Sequence, residues 1–117
     1  MKQYKIYYVL YMWLLNPNYV EIAIYFYANG SFAIHKHPEA TANKTSFTVQ
    51  IGSDGNWYYT TTGNTSMVTG IAHTHRYSSN PTQPGYDKDG VWQLNDMFVT
   101  PSTVTRYIYY NGSFHSY

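Results

Sequence analysis

The stretch MVTGIAHTHRYSSNPTQPGYDKDG, residues 67–90, decides how the chain is read. Its first six residues are small and apolar, the pattern of a strand buried on both faces at the centre of a sheet. His73 and His75 follow, then a loop rich in Ser, Asn, Pro and Gly, then Asp87 and Asp89. On a strand, residues i and i+2 point to one face, so both imidazoles can meet one ion at about 2.0–2.1 Å. Asp87 opens DKDGVWQLND, the one later segment with helical character, as its N-cap. The loop is long enough to fold that carboxylate back over the strand end. Two histidines and one carboxylate around Zn2+ leave the fourth position open to water, as in hydrolytic rather than structural sites. Asp89 competes with Asp87 for the third position. The plainer reading is two imidazoles at a strand end, bonded to carbonyls.

The surrounding composition narrows the fold class. The chain has 117 residues, about the size of one domain. Fifteen tyrosines bring the aromatic share to 20%, against 11% charged residues. Tyrosine suits a half-buried pleated surface, where the ring packs and the hydroxyl reaches water. A sheet-rich α+β domain is therefore expected, mostly antiparallel or mixed, with one or two short helices. Net charge is +1 with no basic run, so no nucleic-acid partner is expected. There is no cysteine, which excludes disulfides and thiolate metal sites. Near the N-terminus, ten apolar residues from Ile6 to Leu15 follow two lysines. They are too few to span a bilayer as a helix and lack a signal-type cleavage site. No membrane partner is expected, and their tyrosines and tryptophan favour a buried strand.

Turn chemistry divides the chain at regular intervals. Asn29–Gly30, between EIAIYFYA and SFAIHKH, is the strongest hairpin signal. SDGN at 53–56 joins SFTVQI to WYYTTT, and Asn111–Gly112 ends TVTRYIYY. PEATANKT at 38–45 reads as a polar link, and MFVTPS as a further strand. The chain is taken as one domain, with an aromatic β region over 1–45 and a core over 46–117.

The order of elements around the histidines, an apolar strand ending in AHTH, a variable loop, PGYDK, a short helix, FVTPS and TRY, resembles the JAMM/MPN-like metallopeptidase fold. The resemblance is closest to the compact JAB-related domains attached to bacterial polymorphic toxins, and covers roughly Ser46 to Gly112. It implies a zinc-dependent peptidase or isopeptidase acting on a peptide or protein, with His73, His75 and Asp87 as metal ligands. It also implies a glutamate on an earlier strand that takes a proton from water. Aligned on the SDGN hairpin, that position falls near 44–46, where there is no carboxylate, and Glu39 is the nearer of the two glutamates. Glu21 is the other, and hydrolysis requires one of the two to approach the metal. Pro84 stands where the family has an oxyanion-binding serine, and Arg76 where it has a proline.

Two further features stand outside that resemblance. His35 and His37 form a second pair with the same spacing, at the end of SFAIHKH. Trp57, Tyr59, Tyr107 and Tyr109 alternate along their strands, so one sheet face could carry several rings. A catalytically inactive JAMM-like domain or another β-rich binding module, contacting protein or glycan through exposed Tyr and Trp, is the alternative function.

Overall fold

The computed structural model describes residues 2–42, 45–60, 64–76, 85–86, 92–93 and 100–117. Among these residues one helix, α1 (Lys2–Leu14), precedes nine strands: β1 (Ala23–Tyr27), β2 (Phe32–His35), β3 (Gln50–Ile51), β4 (Trp57–Tyr58), β5 (Met67–Thr74), β6 (Gly85–Tyr86), β7 (Trp92–Gln93), β8 (Thr105–Tyr110) and β9 (Ser113–Ser116). Seven strands form one sheet in which β5 is central. β1 lies antiparallel along one side of β5, with β2 beyond it. On the other side β4 pairs with Met67 and Val68, and β8 runs parallel to Gly70–Thr74. The expected α+β, mostly antiparallel fold is what the chain adopts.

The hairpins form where turn chemistry places them. Gly30 closes the β1–β2 loop at φ 84°, and the Asn29 side chain accepts the Ser31 N–H at 3.0 Å. Between β8 and β9, Asn111 and Gly112 both have positive φ, as a two-residue type I′ turn requires. The Asp54 carboxylate accepts the Asn56 N–H at 3.0 Å and the Tyr58 hydroxyl at 2.6 Å. Those two bonds, the hydroxyl's first, hold the Asp54 carboxyl below its ordinary range.

Residues 2–14 correct the expected strand. They form a helix because Ile6, Leu10, Trp13 and Leu14 recur at three- and four-residue spacing and make one apolar stripe. Ile6 and Leu10 are buried against Ile22, Ile24, Ala72 and Tyr109 on one face of the sheet. Tyr8, two residues from Ile6, is 68% exposed. The helix stops before Pro17, whose predecessor is disfavoured in α conformation. Trp13 Nε1 then donates to the Val20 carbonyl at 2.8 Å, tying the helix to the approach into β1. Among the described residues, no helix is long and apolar enough to cross a membrane. The helix expected over 87–96 is also corrected within its described part. Trp92–Gln93 is extended and pairs with Gly85–Tyr86. Gly90 weakens a helix there, and Val91 and Trp92 favour extended backbone. Met97–Val99 lies outside the described residues, while Pro101 is in a turn whose carbonyl accepts the Val104 N–H at 3.0 Å.

The opposite sheet face buries Ala23, Tyr25, Tyr27, Val68, Ile71 and Val104, covered by Phe47, Val49, Trp57 and Tyr59. Tyr25 stacks on Tyr59 with centroids 4.0 Å apart, and its hydroxyl accepts the Thr48 N–H at 2.7 Å. Trp57 and Tyr59 thus pack on one core cluster, while Tyr107 and Tyr109 pack on the other.

Two measurements check this architecture. Ile6→Ala and Leu10→Ala should each cost about 2–5 kcal/mol in chemical denaturation, while Tyr8→Ala stays within about 0.5 kcal/mol. A strand would put residues 6, 8 and 10 on one face and make Tyr8→Ala costly as well. Burial pushes the Tyr25 phenol up to about 12, partly countered by the Thr48 N–H. An unfolded tyrosine ionises near about 10, so the stabilisation is complete below that pH and disappears as pH rises through the folded value. Tyr58 and Tyr109 are also held above the ordinary phenol range, so ultraviolet titration should show several late phenols, of which Tyr25→Phe removes one.

Candidate metal centre

The register of β1 on β5 builds the site. Ala23 pairs with His73, and the antiparallel order continues past β1, where the Thr74 N–H donates to the Ile22 carbonyl at 3.3 Å. The next step outward sets Glu21 beside His75. On the other side of β5, the His75 N–H donates to the Tyr109 carbonyl at 2.9 Å. His75 is thereby held by β8 although it lies just beyond the end of β5. Glu21 is fixed by its own N–H, which donates to the Thr41 carbonyl at 2.7 Å.

Glu21, His73 and His75 each offer one ligand atom, and these atoms lie within 4.8 Å of one another. His73 Nε2 and His75 Nε2 are 3.0 Å apart. Glu21 Oε1 is 3.5 Å from His75 Nε2. Two imidazole lone pairs cannot face each other at that distance unless a proton or a cation lies between them. Nitrogens sharing one tetrahedral zinc at about 2.0–2.1 Å lie roughly 3.3 Å apart, so a small opening of the pair admits the ion. Glu21 and His73 are 5% and 4% exposed. A cation held by the two rings would also pair with this buried carboxylate. The three side chains could therefore hold a metal ion.

Aromatic edges frame the group. Phe47 meets the His73 ring at 6.0 Å and 77°, and Tyr117 meets it at 6.4 Å and 89°. The Arg106 guanidinium lies 4.7 Å above the Tyr117 ring. These contacts leave the ring of His73 little freedom to turn its Nε2 away.

Of the residues singled out in the sequence, His73 and His75 are brought together as expected. Asp87 and Asp89 lie outside the described residues. Glu39 is not in the group. It sits on the exposed turn after β2, where its N–H donates to His37 Nδ1 at 3.1 Å. The glutamate that approaches the histidine pair is Glu21. Alignment on the SDGN hairpin pointed downstream of β2, whereas the sheet joins the glutamate to the histidines through β1. The readable signal was the alternation Glu21, Ala23, Tyr25, which sets Glu21, just ahead of β1, on the same face as Ala23 and Tyr25.

The second histidine pair does not converge. The His35 and His37 rings are 6.2 Å apart and nearly perpendicular. His37 Nδ1 accepts the Glu39 N–H, which leaves the ring proton on Nε2, the nitrogen a metal would need. His35 Nδ1 is 3.0 Å from the Tyr59 hydroxyl. Burial, and then the neighbouring His37, hold His35 below the ordinary imidazole range.

The chain matches no family model, no curated protein and no solved structure.

Proposed function

We propose that the domain is a zinc-dependent peptidase or isopeptidase of JAMM-like type, with His73 and His75 as ligands, Asp87 as the third, and Glu21 as the proton-accepting carboxylate. One observation carries this reading: the convergence of Glu21 on the paired Nε2 atoms of His73 and His75. The resemblance calls for a glutamate from an earlier strand, and Glu21, just ahead of β1, supports that role in place of Glu39.

A zinc ion at the two imidazoles would supply Lewis acidity and make a water acidic near neutral pH. The residues of the chain do the rest. Glu21 sits where it can accept the proton that a water loses as it attacks an amide carbon. It then returns that proton to the departing amine, so no net proton is consumed. Burial keeps the carboxylate close to the reacting atoms and away from competing bulk water. His73 and His75, locked by Phe47, Tyr117 and the Tyr109 carbonyl, keep the donor atoms aimed at one point. Pro84 has no donor for the developing oxyanion, so that charge rests on other groups.

Two experiments test the reading. The protein purified without added metal should contain near-stoichiometric zinc by elemental analysis. His75→Ala should weaken binding by more than the roughly 10–100-fold typical of outer-shell changes, and His37→Ala should leave binding unaltered. Metal-free wild type would end the proposal. Glu21→Gln should retain zinc while hydrolysis of a peptide and isopeptide library, followed by mass spectrometry, falls about 10²–10⁴-fold. If zinc is lost with the activity, Glu21 is a ligand instead. If activity survives Glu21→Gln, its role as proton acceptor is refuted.

A further inference from the structure

Thr74 stands between the two histidines and, by strand alternation, points away from them. It is fully buried at 0% exposure. Its hydroxyl does something unusual in the β1–β5 ladder. An antiparallel hydrogen-bonded pair normally exchanges two main-chain bonds. Here the Thr74 N–H donates to the Ile22 carbonyl at 3.3 Å, but the Ile22 N–H donates to Thr74 Oγ1 at 3.2 Å. The Thr74 carbonyl accepts the Tyr19 hydroxyl at 3.3 Å instead, and that hydroxyl is also 2.8 Å from Oγ1.

Tyr19 is itself held. It is 4% exposed, and the Arg76 guanidinium stacks 4.4 Å from its ring centroid. Arg76 also donates to the Leu14 and Asn16 carbonyls at 3.4 and 3.3 Å, at the end of α1. Residues 19–22 are therefore fastened at Tyr19 and at Ile22 to one side chain, and Glu21 lies between those two points. This segment lies outside the regular ladder, which begins at Ala23. A β-branched side chain suits such a joint because its χ1 is stiff.

We propose that Thr74 and Tyr19 are positioning residues whose hydroxyls set the distance of the Glu21 carboxylate from the histidine pair. The His–x–His spacing then has a use for its middle residue: two imidazoles on one face bind, and the hydroxyl on the other face aims the carboxylate. The inference rests on the reading of Glu21 given above.

Cobalt(II) serves as the probe, since its visible d–d absorption reports groups around the ion without any substrate. Wild type, Thr74→Ser, Thr74→Val, Tyr19→Phe and Glu21→Gln would each be loaded. Spectra and dissociation constants by chelator competition would be recorded, with circular dichroism confirming the fold. Thr74→Ser should reproduce the wild-type spectrum. Thr74→Val and Tyr19→Phe should shift it toward that of Glu21→Gln, with affinity staying within about tenfold of wild type, no more than an outer-shell change costs. Should Thr74→Val not fold, Tyr19→Phe, which keeps the Ile22 bond, decides the matter with Thr74→Ser. Wild-type spectra for the folded hydroxyl-less variants, beside an altered Glu21→Gln, would overturn the positioning role and leave Glu21 intact. A wild-type spectrum for Glu21→Gln itself would show that Glu21 leaves the surroundings of the ion unchanged and would overturn the tether, while its proton-accepting role is judged separately by the hydrolysis assay.

Discussion

The pairing of Ala23 with His73 is the constraint on which the rest depends. Once that register is set, Ile22 falls opposite Thr74 and Glu21 beside His75, with no freedom left in the order. A slip of one residue would turn Glu21 to the face that α1 covers and bring Ile22 to the histidines. The register is held by burial on both faces. Ile24 and Ala72 pack under α1, while Tyr25 and Ile71 pack under Phe47 and Trp57. Gly70 contributes by what it lacks: a Cβ there would lie 3.3 Å from the Phe26 ring and 3.4 Å from that of Tyr107. The edge-to-face contact of those two rings, 5.9 Å between centroids, closes over the glycine and locks β1 and β8 on either side of β5.

That register forces an electrostatic consequence. A carboxylate with 7% side-chain exposure is brought against two imidazole nitrogens that face each other. Neutral rings at this distance are held by one N–H···N hydrogen bond. A divalent cation in its place would accept both imidazole lone pairs and pair with the buried carboxylate. The aromatic edges of Phe47 and Tyr117 keep the His73 ring from swinging out toward water, so the packing maintains the convergence.

Local chemistry made part of this legible. The three turn signals act through backbone φ and short side-chain bonds, so their outcome at Gly30, Gly55 and Gly112 follows from a few residues. The central strand was also readable, because only a strand covered on both faces tolerates a run like MVTGIA. The first fifteen residues were harder. Their aromatic content favours a strand while the spacing of Ile6, Leu10, Trp13 and Leu14 favours a helix, and periodicity prevailed once a sheet face was available to bury that stripe. Glu21 was beyond local reading altogether. Its partnership with His75 spans more than fifty residues and exists only through the pairing of β1 with β5.

The two histidine pairs show what spacing alone leaves open. His35 and His73 both pair with Ala23, from opposite sides of β1, so they stand in one row across the sheet. Sequence spacing gives both pairs the same opportunity. Their surroundings separate them. Among the described strands β2 lies at an edge, and past its end the chain turns into solvent, where the Glu39 main chain and the Tyr59 hydroxyl take up the ring nitrogens. β5 has a neighbour on each side past its end, so one neighbour supplies a carboxylate and the other a carbonyl that fixes His75. Convergence of donors therefore comes from the central place of the strand. A paired-histidine motif gains predictive weight when the strand carrying it can be argued, from its apolar run, to lie inside the sheet.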